Sequence, residues 1–100
     1  MNRQEALDAA GRCVLADRNQ AYGDPESNFA NTAAIWTVHL RGRGLLAEGK
    51  ELEPFDVAAL MIGLKLARLV TSPDKADTWV DIIGYGSCGI ECASNTEGAK

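Results

Sequence analysis

Four charged residues in the second half of this 100-residue chain have spacings that allow them to act together. Lys65 and Arg68 stand three apart in the otherwise apolar run from Val57 to Val70, and Asp77 and Asp81 stand four apart in the following stretch. On a helix each spacing puts both members on one side. Two cations on an apolar helix are costly to bury unless a carboxylate or an anionic ligand meets them. One reading is an ion-pair network, Lys65 and Arg68 against Asp77 and Asp81, across two helices joined by a short turn. The other is a phosphate site, with Arg68 suited to a bidentate contact and Lys65 to a point-charge contact. The readings are compatible, because an ion-pair network can line a site. Asp77 and Asp81 admit a similar pair of readings. They are a helix-start residue and a salt-bridge partner, or two ligands of a Mg²⁺ ion that also binds substrate phosphate.

Tyr85 follows Asp81 by one more helical turn and offers a ring for base stacking on the same face. A second cluster, Asp17 to Pro25, sets Arg18 and Tyr22 beside Gly23, Asp24 and Pro25. Turn chemistry accounts for the last three, since glycine ends one helix and Asp-Pro starts the next. Arg18 and Tyr22 are left as a phosphate contact and a base platform. Trp36 and Trp79 have the pattern of core anchors, with Trp79 also a stacking candidate. His39 is the only histidine, which leaves no His-based metal or triad arrangement, and it reads as a helix-surface residue. Cys88 and Cys92 share a helix face but lack the further ligands of a zinc site. Gly84-x-Gly86-x-x-Gly89 carries the letters of a dinucleotide motif without the preceding strand the motif requires.

Four helices position these groups. The first is expected from about Asn2 to Gln20, opened by a capping box of Asn2 and Glu5 and striped by Leu7, Ala10, Val14 and Leu15. The second begins at Asp24-Pro25-Glu26, carries Phe29, Ala33, Trp36 and Leu40, and ends at Arg41-Gly42-Arg43-Gly44. Residues 42–53 form a polar connection that reads as a mobile loop. The third helix starts at Pro54, with Asp56 in its first turn, and is apolar almost all round to Val70, which predicts burial on most faces, in a core or against a partner chain. The fourth runs from about Asp74 to Ala93, striped by Trp79, Ile82, Ile83 and Ile90. Its three glycines weaken it and allow another backbone to approach. Residues 1–93 are thus read as one compact, all-α, four-helix domain, and 94–100 as a polar tail.

Composition narrows the classes of function. A net charge of −4 argues against a nucleic-acid polymer as partner, since phosphate contacts need a basic face. No apolar run reaches membrane-spanning length, no apolar leader follows Met1, and the odd count of three cysteines fits free thiols in a reducing compartment. A cytoplasmic protein is the expectation. A domain this small buries a limited share of its surface, so homo-oligomerisation is also expected.

The order Asp17-Arg18…Tyr22-Gly23-Asp24-Pro25…Asn28-Phe29…Trp36, then Asp56-Val57-Ala58…Lys65-x-x-Arg68-Leu69, then Asp77-x-Trp79-x-Asp81-x-x-Gly84-Tyr85 resembles a family of small tailed-phage and prophage proteins. The resemblance covers residues 12 to 92. That family in turn looks like a distant relative of the MazG-like, all-α nucleoside triphosphate pyrophosphohydrolases, which are helical, oligomeric and hold nucleotide through magnesium. The resemblance implies a MazG-like fold, a nucleotide or cyclic nucleotide ligand and a possible need for Mg²⁺. The chain departs from the MazG pattern where it matters for hydrolysis. Lys65 and Arg68 stand where an acidic cluster is expected, and the fourth helix offers only Asp77 and Asp81. Two cations with two carboxylates suit holding a nucleotide better than cleaving it. Three functions follow. The first is a phage nucleotide-binding protein, for instance a sponge for a second messenger of host antiviral defence, with Arg18, Tyr22, Lys65, Arg68, Trp79 and Tyr85 on the ligand. The second is a Mg²⁺-dependent pyrophosphohydrolase using Asp77 and Asp81. The third is a structural or interaction protein without a small ligand, in which the apolar third helix forms a dimer seam and the ion pairs only set register.

Overall fold

The computed structural model describes residues 1–17 and 25–98, and within them it is all-α. The helices are α1 (Arg3–Arg12), continued by a π-helical turn over Cys13–Asp17, then α2 (Pro25–Gly42), α3 (Pro54–Thr71) and α4 (Ala76–Gly98). The first expected helix therefore changes its winding at Cys13, and the fourth extends past Ala93.

Local chemistry explains the boundaries. Asn2 caps α1, its Oδ1 accepting from Glu5 N at 2.8 Å while Asn2 N donates to Glu5 Oε1 at 3.0 Å; such a cap stabilises a helix by about 1 kcal/mol. At the end of α2, Leu45 N donates to Leu40 O at 2.9 Å and Gly44 N to Arg41 O at 3.0 Å. This is the paired bonding of a Schellman ending, which needs a left-handed residue, and Gly44 supplies it with φ +74°. Pro54 opens α3 behind Glu53, whose N donates to Asp56 Oδ2 at 2.8 Å.

The connection from α2 to α3 is tied down more than its polar sequence predicts. The buried Thr37 hydroxyl donates to Ala33 O at 2.7 Å and accepts from Leu52 N at 2.9 Å. Arg41 also donates to Lys50 O.

α4 touches every other helix. It packs most extensively on α3, next on α1, and lightly on α2, which itself packs on α3. Two of its glycines explain the close fit. A Cβ on Gly89 would stand 3.1 Å from Ala58 Cβ, and one on Gly84 would stand 3.2 Å from Val14 Cγ1. The core is small: Phe29, Ala33, Val57, Ala58, Cys88 and Cys92 are buried, and Trp36, Phe55 and Tyr85 pack around them. None of the three cysteines is in a disulfide; Cys13 is exposed, and Cys88 and Cys92 are buried.

One expectation changes here, and another is only half met by the chain itself. Only one side of α3 is covered, and Leu60, Leu64, Leu66 and Val70 on the other side are exposed. The apolar pattern of α3 thus exceeds what the chain itself buries. Trp79 is not a core anchor: it is 49% exposed. No helix among the described residues is long and apolar enough to cross a membrane.

Candidate functional site

The α3–α4 seam brings together one of the expected charge pairs. Lys65 Nζ lies 2.9 Å from Asp81 Oδ2, with the lysine side chain 13% exposed and the aspartate 42%. Lys65 reaches α4 because it belongs to the side of α3 that also carries Val57, Ala58 and Met61, toward the core. Its cation is screened from water and its charge is met by the carboxylate, as burial requires.

Arg68, one turn further along α3, is exposed, and no described carboxylate lies within ion-pair distance of its guanidinium. Asp77 is exposed one turn before Asp81. The seam therefore presents a closed pair, Lys65 with Asp81, flanked by Arg68 and Asp77. Arg68 is free to meet an anion, whereas Lys65 would share one with Asp81.

The aromatic candidates do not gather around these charges. Trp79 and Asp81 are two residues apart, so they leave the helix about 200° apart. Trp79 faces the start of α1, where its Nε1 donates to Pro73 O at 2.9 Å. There it lines an open depression of about 270 Å³ with Met1, Arg3, Ala6 and Asp74. The helix start beside that depression is already occupied by the Asn2–Glu5 capping box. Tyr85 lies on the Asp81 side of α4 but is half-buried, its ring stacked on Phe29 at a centroid distance of 6.1 Å and 27° between planes. Arg18 and Tyr22 lie outside the described residues. His39 is exposed on α2.

The acidic residues offer a poor fit to Mg²⁺. Among the described residues no three acidic, histidine or cysteine side chains converge as a metal site. Asp81 already carries a lysine ammonium, and Asp56 accepts from the Glu53 N–H at the start of α3. A magnesium ion that activates water for phosphate chemistry needs more unengaged carboxylate than Asp77 alone.

Sequence reasoning missed Thr37, the buried hydroxyl joining α2 to the loop before α3; its signal was a lone polar residue on the stripe of Phe29, Ala33 and Trp36. The all-round apolar pattern of α3 left open whether the core or a partner chain covers it, because such a pattern does not reveal which faces the chain itself covers.

Fold and seam define a small all-α protein with an ion pair between its two best-packed helices and a large uncovered apolar surface. The chain belongs to the family described as a domain of unknown function (DUF6378), whose model matches residues 5–93. Among relatives, it is 33% identical over 85 residues to the Gene 55 protein of Mycobacterium phage D29, covering 85% of this chain and 51% of that protein. It is 38% identical over 79 residues to the Gene 55 protein of Mycobacterium phage L5, covering 79% of this chain and 46% of that one. The family is thus one of phage proteins, and the chain spans about half the length of the curated relatives it matches. No solved structure matches it.

Proposed function

We propose that the chain is a nucleotide-binding protein of phage origin that takes the phosphates of its ligand at the outer end of the α3–α4 seam. The observation that carries this reading is Arg68: an exposed guanidinium with no described carboxylate in ion-pair reach, one turn from a lysine already fixed in place. Arg68 makes the primary, bidentate phosphate contact. Lys65 adds a point charge that it shares with Asp81, so the ion pair positions one cation while the other binds. Trp79 faces away from this ion pair, which leaves base stacking to Tyr22, with Arg18 as a further phosphate contact, or to Tyr85 if it leaves Phe29. Binding without turnover is favoured over pyrophosphohydrolysis by the shortage of unengaged carboxylates. In an infected cell such a protein would serve as a sponge for a nucleotide second messenger of antiviral defence; the phage relatives support the phage origin of this reading.

The test is thermal unfolding with a panel of linear and cyclic nucleotides, with and without Mg²⁺, followed by product analysis of any hit. A ligand at about 100 times its Kd stabilises the fold by about 2.7 kcal/mol and raises Tm clearly. The reading expects such a rise with intact ligand, lost in Arg68→Ala. No rise with any nucleotide removes it. Conversion to monophosphate and pyrophosphate replaces it with the enzyme.

A further inference from the structure

The outer side of α3 calls for a different explanation from the seam. Within the span Ala59 to Val70 the exposed residues on this side include Ala59, Leu60, Gly63, Leu64, Ala67 and Val70, with Leu66 at the edge. None is charged. Lys65 turns inward to Asp81, and Arg68 lies beyond the rim next to Leu64. The four large side chains, Leu60, Leu64, Leu66 and Val70, are between 42% and 83% exposed. They leave roughly 400 Å² of contiguous apolar surface in water, as much as the largest patch on a typical monomer, and such patches mark interaction sites.

We infer that this face seats a second copy of the chain, with two α3 helices packed antiparallel across a two-fold axis near Gly63. The area is sufficient. A self-complementary contact buries the patch on both copies, about 800 Å², and the small residues and rim carry the total past the ~1,000 Å² expected of a stable interface. The shape is suitable. Ala59, Gly63 and Ala67 are spaced four apart, nothing lies within 4 Å of a Cβ placed on Gly63, and small residues at the contact let helix axes approach to the near end of the 8–10 Å range.

Charge selects the direction and the occupant. α3 has Asp56 in its first turn and Arg68 in its last. Antiparallel packing about Gly63 brings Asp56 level with the last turns of the partner, within about a turn of Arg68 of the partner subunit, and it opposes the two helix dipoles favourably. Parallel packing would set Asp56 on Asp56. A bilayer is a poorer occupant, because interfacial helices flank their apolar face with several cations and this chain carries a net charge of −4. The inference does not depend on nucleotide binding, since the apolar contact itself is made by neither Lys65 nor Arg68.

Sedimentation velocity of the full chain over a concentration series reads the association directly. A dimer is expected, with its Kd raised by at least about tenfold in Leu60→Glu and in Ala67→Glu, because each places a carboxylate without a partner in the contact. Both positions are exposed, so circular dichroism of the variants should match the parent. Direction is read by disulfide trapping in a Cys13→Ser background. A mixture of Ala59→Cys and Ala67→Cys chains should cross-link to each other more readily than either does to itself. The inference is overturned by a monomer at all concentrations, by a dimer indifferent to both glutamates, by preferential Ala59→Cys self-linking, or by a monomer whose lipid-vesicle binding the glutamates abolish.

Discussion

The two sides of α3 are built from the same kinds of residue and have opposite fates. The inner side, with Val57, Ala58, Met61 and Lys65, is held by α4 and the core, and its one charge is met by Asp81. The outer side, with Leu60, Gly63, Leu64 and Val70, is as apolar and lies in water. The difference shows that hydropathy alone does not decide what a single chain buries. The deciding features are close approaches at specific points, such as Gly89 against Ala58, and a chain of this size has only enough partner surface for one side.

Two valines on that helix make the sharpest test. Val57 is 2% exposed and Val70 is 83% exposed. Val57→Ala removes two methyl groups from the core and leaves a cavity, so it should destabilise the chain by about 2 kcal/mol. Val70→Ala removes the same atoms from solvent and should change monomer stability by less than about 0.5 kcal/mol. Urea unfolding at a concentration low enough to keep the chain monomeric measures both. Equal losses would mean that the outer side is covered within the chain and the comparison of the two sides is mistaken.

The sequence was most legible where a feature is local. The Asn2–Glu5 capping box, the start of α3 at Pro54 and the breaks near Gly42 and Thr71 depend on a few adjacent residues, and they lie where spacing predicts. Legibility fell where the answer depends on a distant neighbour. Lys65 and Arg68 are equivalent by spacing, yet one meets Asp81 and the other meets solvent, because three residues along α3 rotate the side chain from the α4 seam toward the rim. Trp79 shows the same limit. Its large apolar ring predicts a core position, but the face of α4 it occupies meets only the thin start of α1, and its indole N–H is bound locally by Pro73 O.

A smaller effect separates the two aspartates of α4. Asp81→Asn leaves the Lys65 ammonium, mostly buried, facing a neutral amide, and should cost about 1 kcal/mol. Full loss of a buried pair costs more, but water reaches the aspartate and weakens the pair. Asp77→Asn, at an exposed position, should cost no more than a few tenths of a kcal/mol through the helix dipole. A double-mutant cycle of Lys65→Met with Asp81→Asn isolates the pair. A coupling near zero would mean that Lys65 is held by its aliphatic stem alone, and the seam would then have two cations available for an anion instead of one.

The finest test compares two glycines of α4 three residues apart. Glycine in a helix interior is disfavoured against alanine by up to about 1 kcal/mol, mostly through the entropy of the unfolded chain. Nothing lies within 4 Å of a Cβ placed on Gly86, so Gly86→Ala should realise that gain as a higher Tm. At Gly89 the new methyl meets Ala58 Cβ at 3.1 Å. That atom is fixed to the α3 backbone, and no rotamer change moves it away. The contact is relieved only if α3 and α4 part by a few tenths of an ångström along their best-packed seam, which loosens Val57 and Cys88 together. Gly89→Ala should therefore cancel the propensity gain or reverse it by about 1 kcal/mol. If both alanines stabilise equally, α3 yields to α4 at no cost, and the close approach at Gly89 is not what holds the inner side of α3 in place.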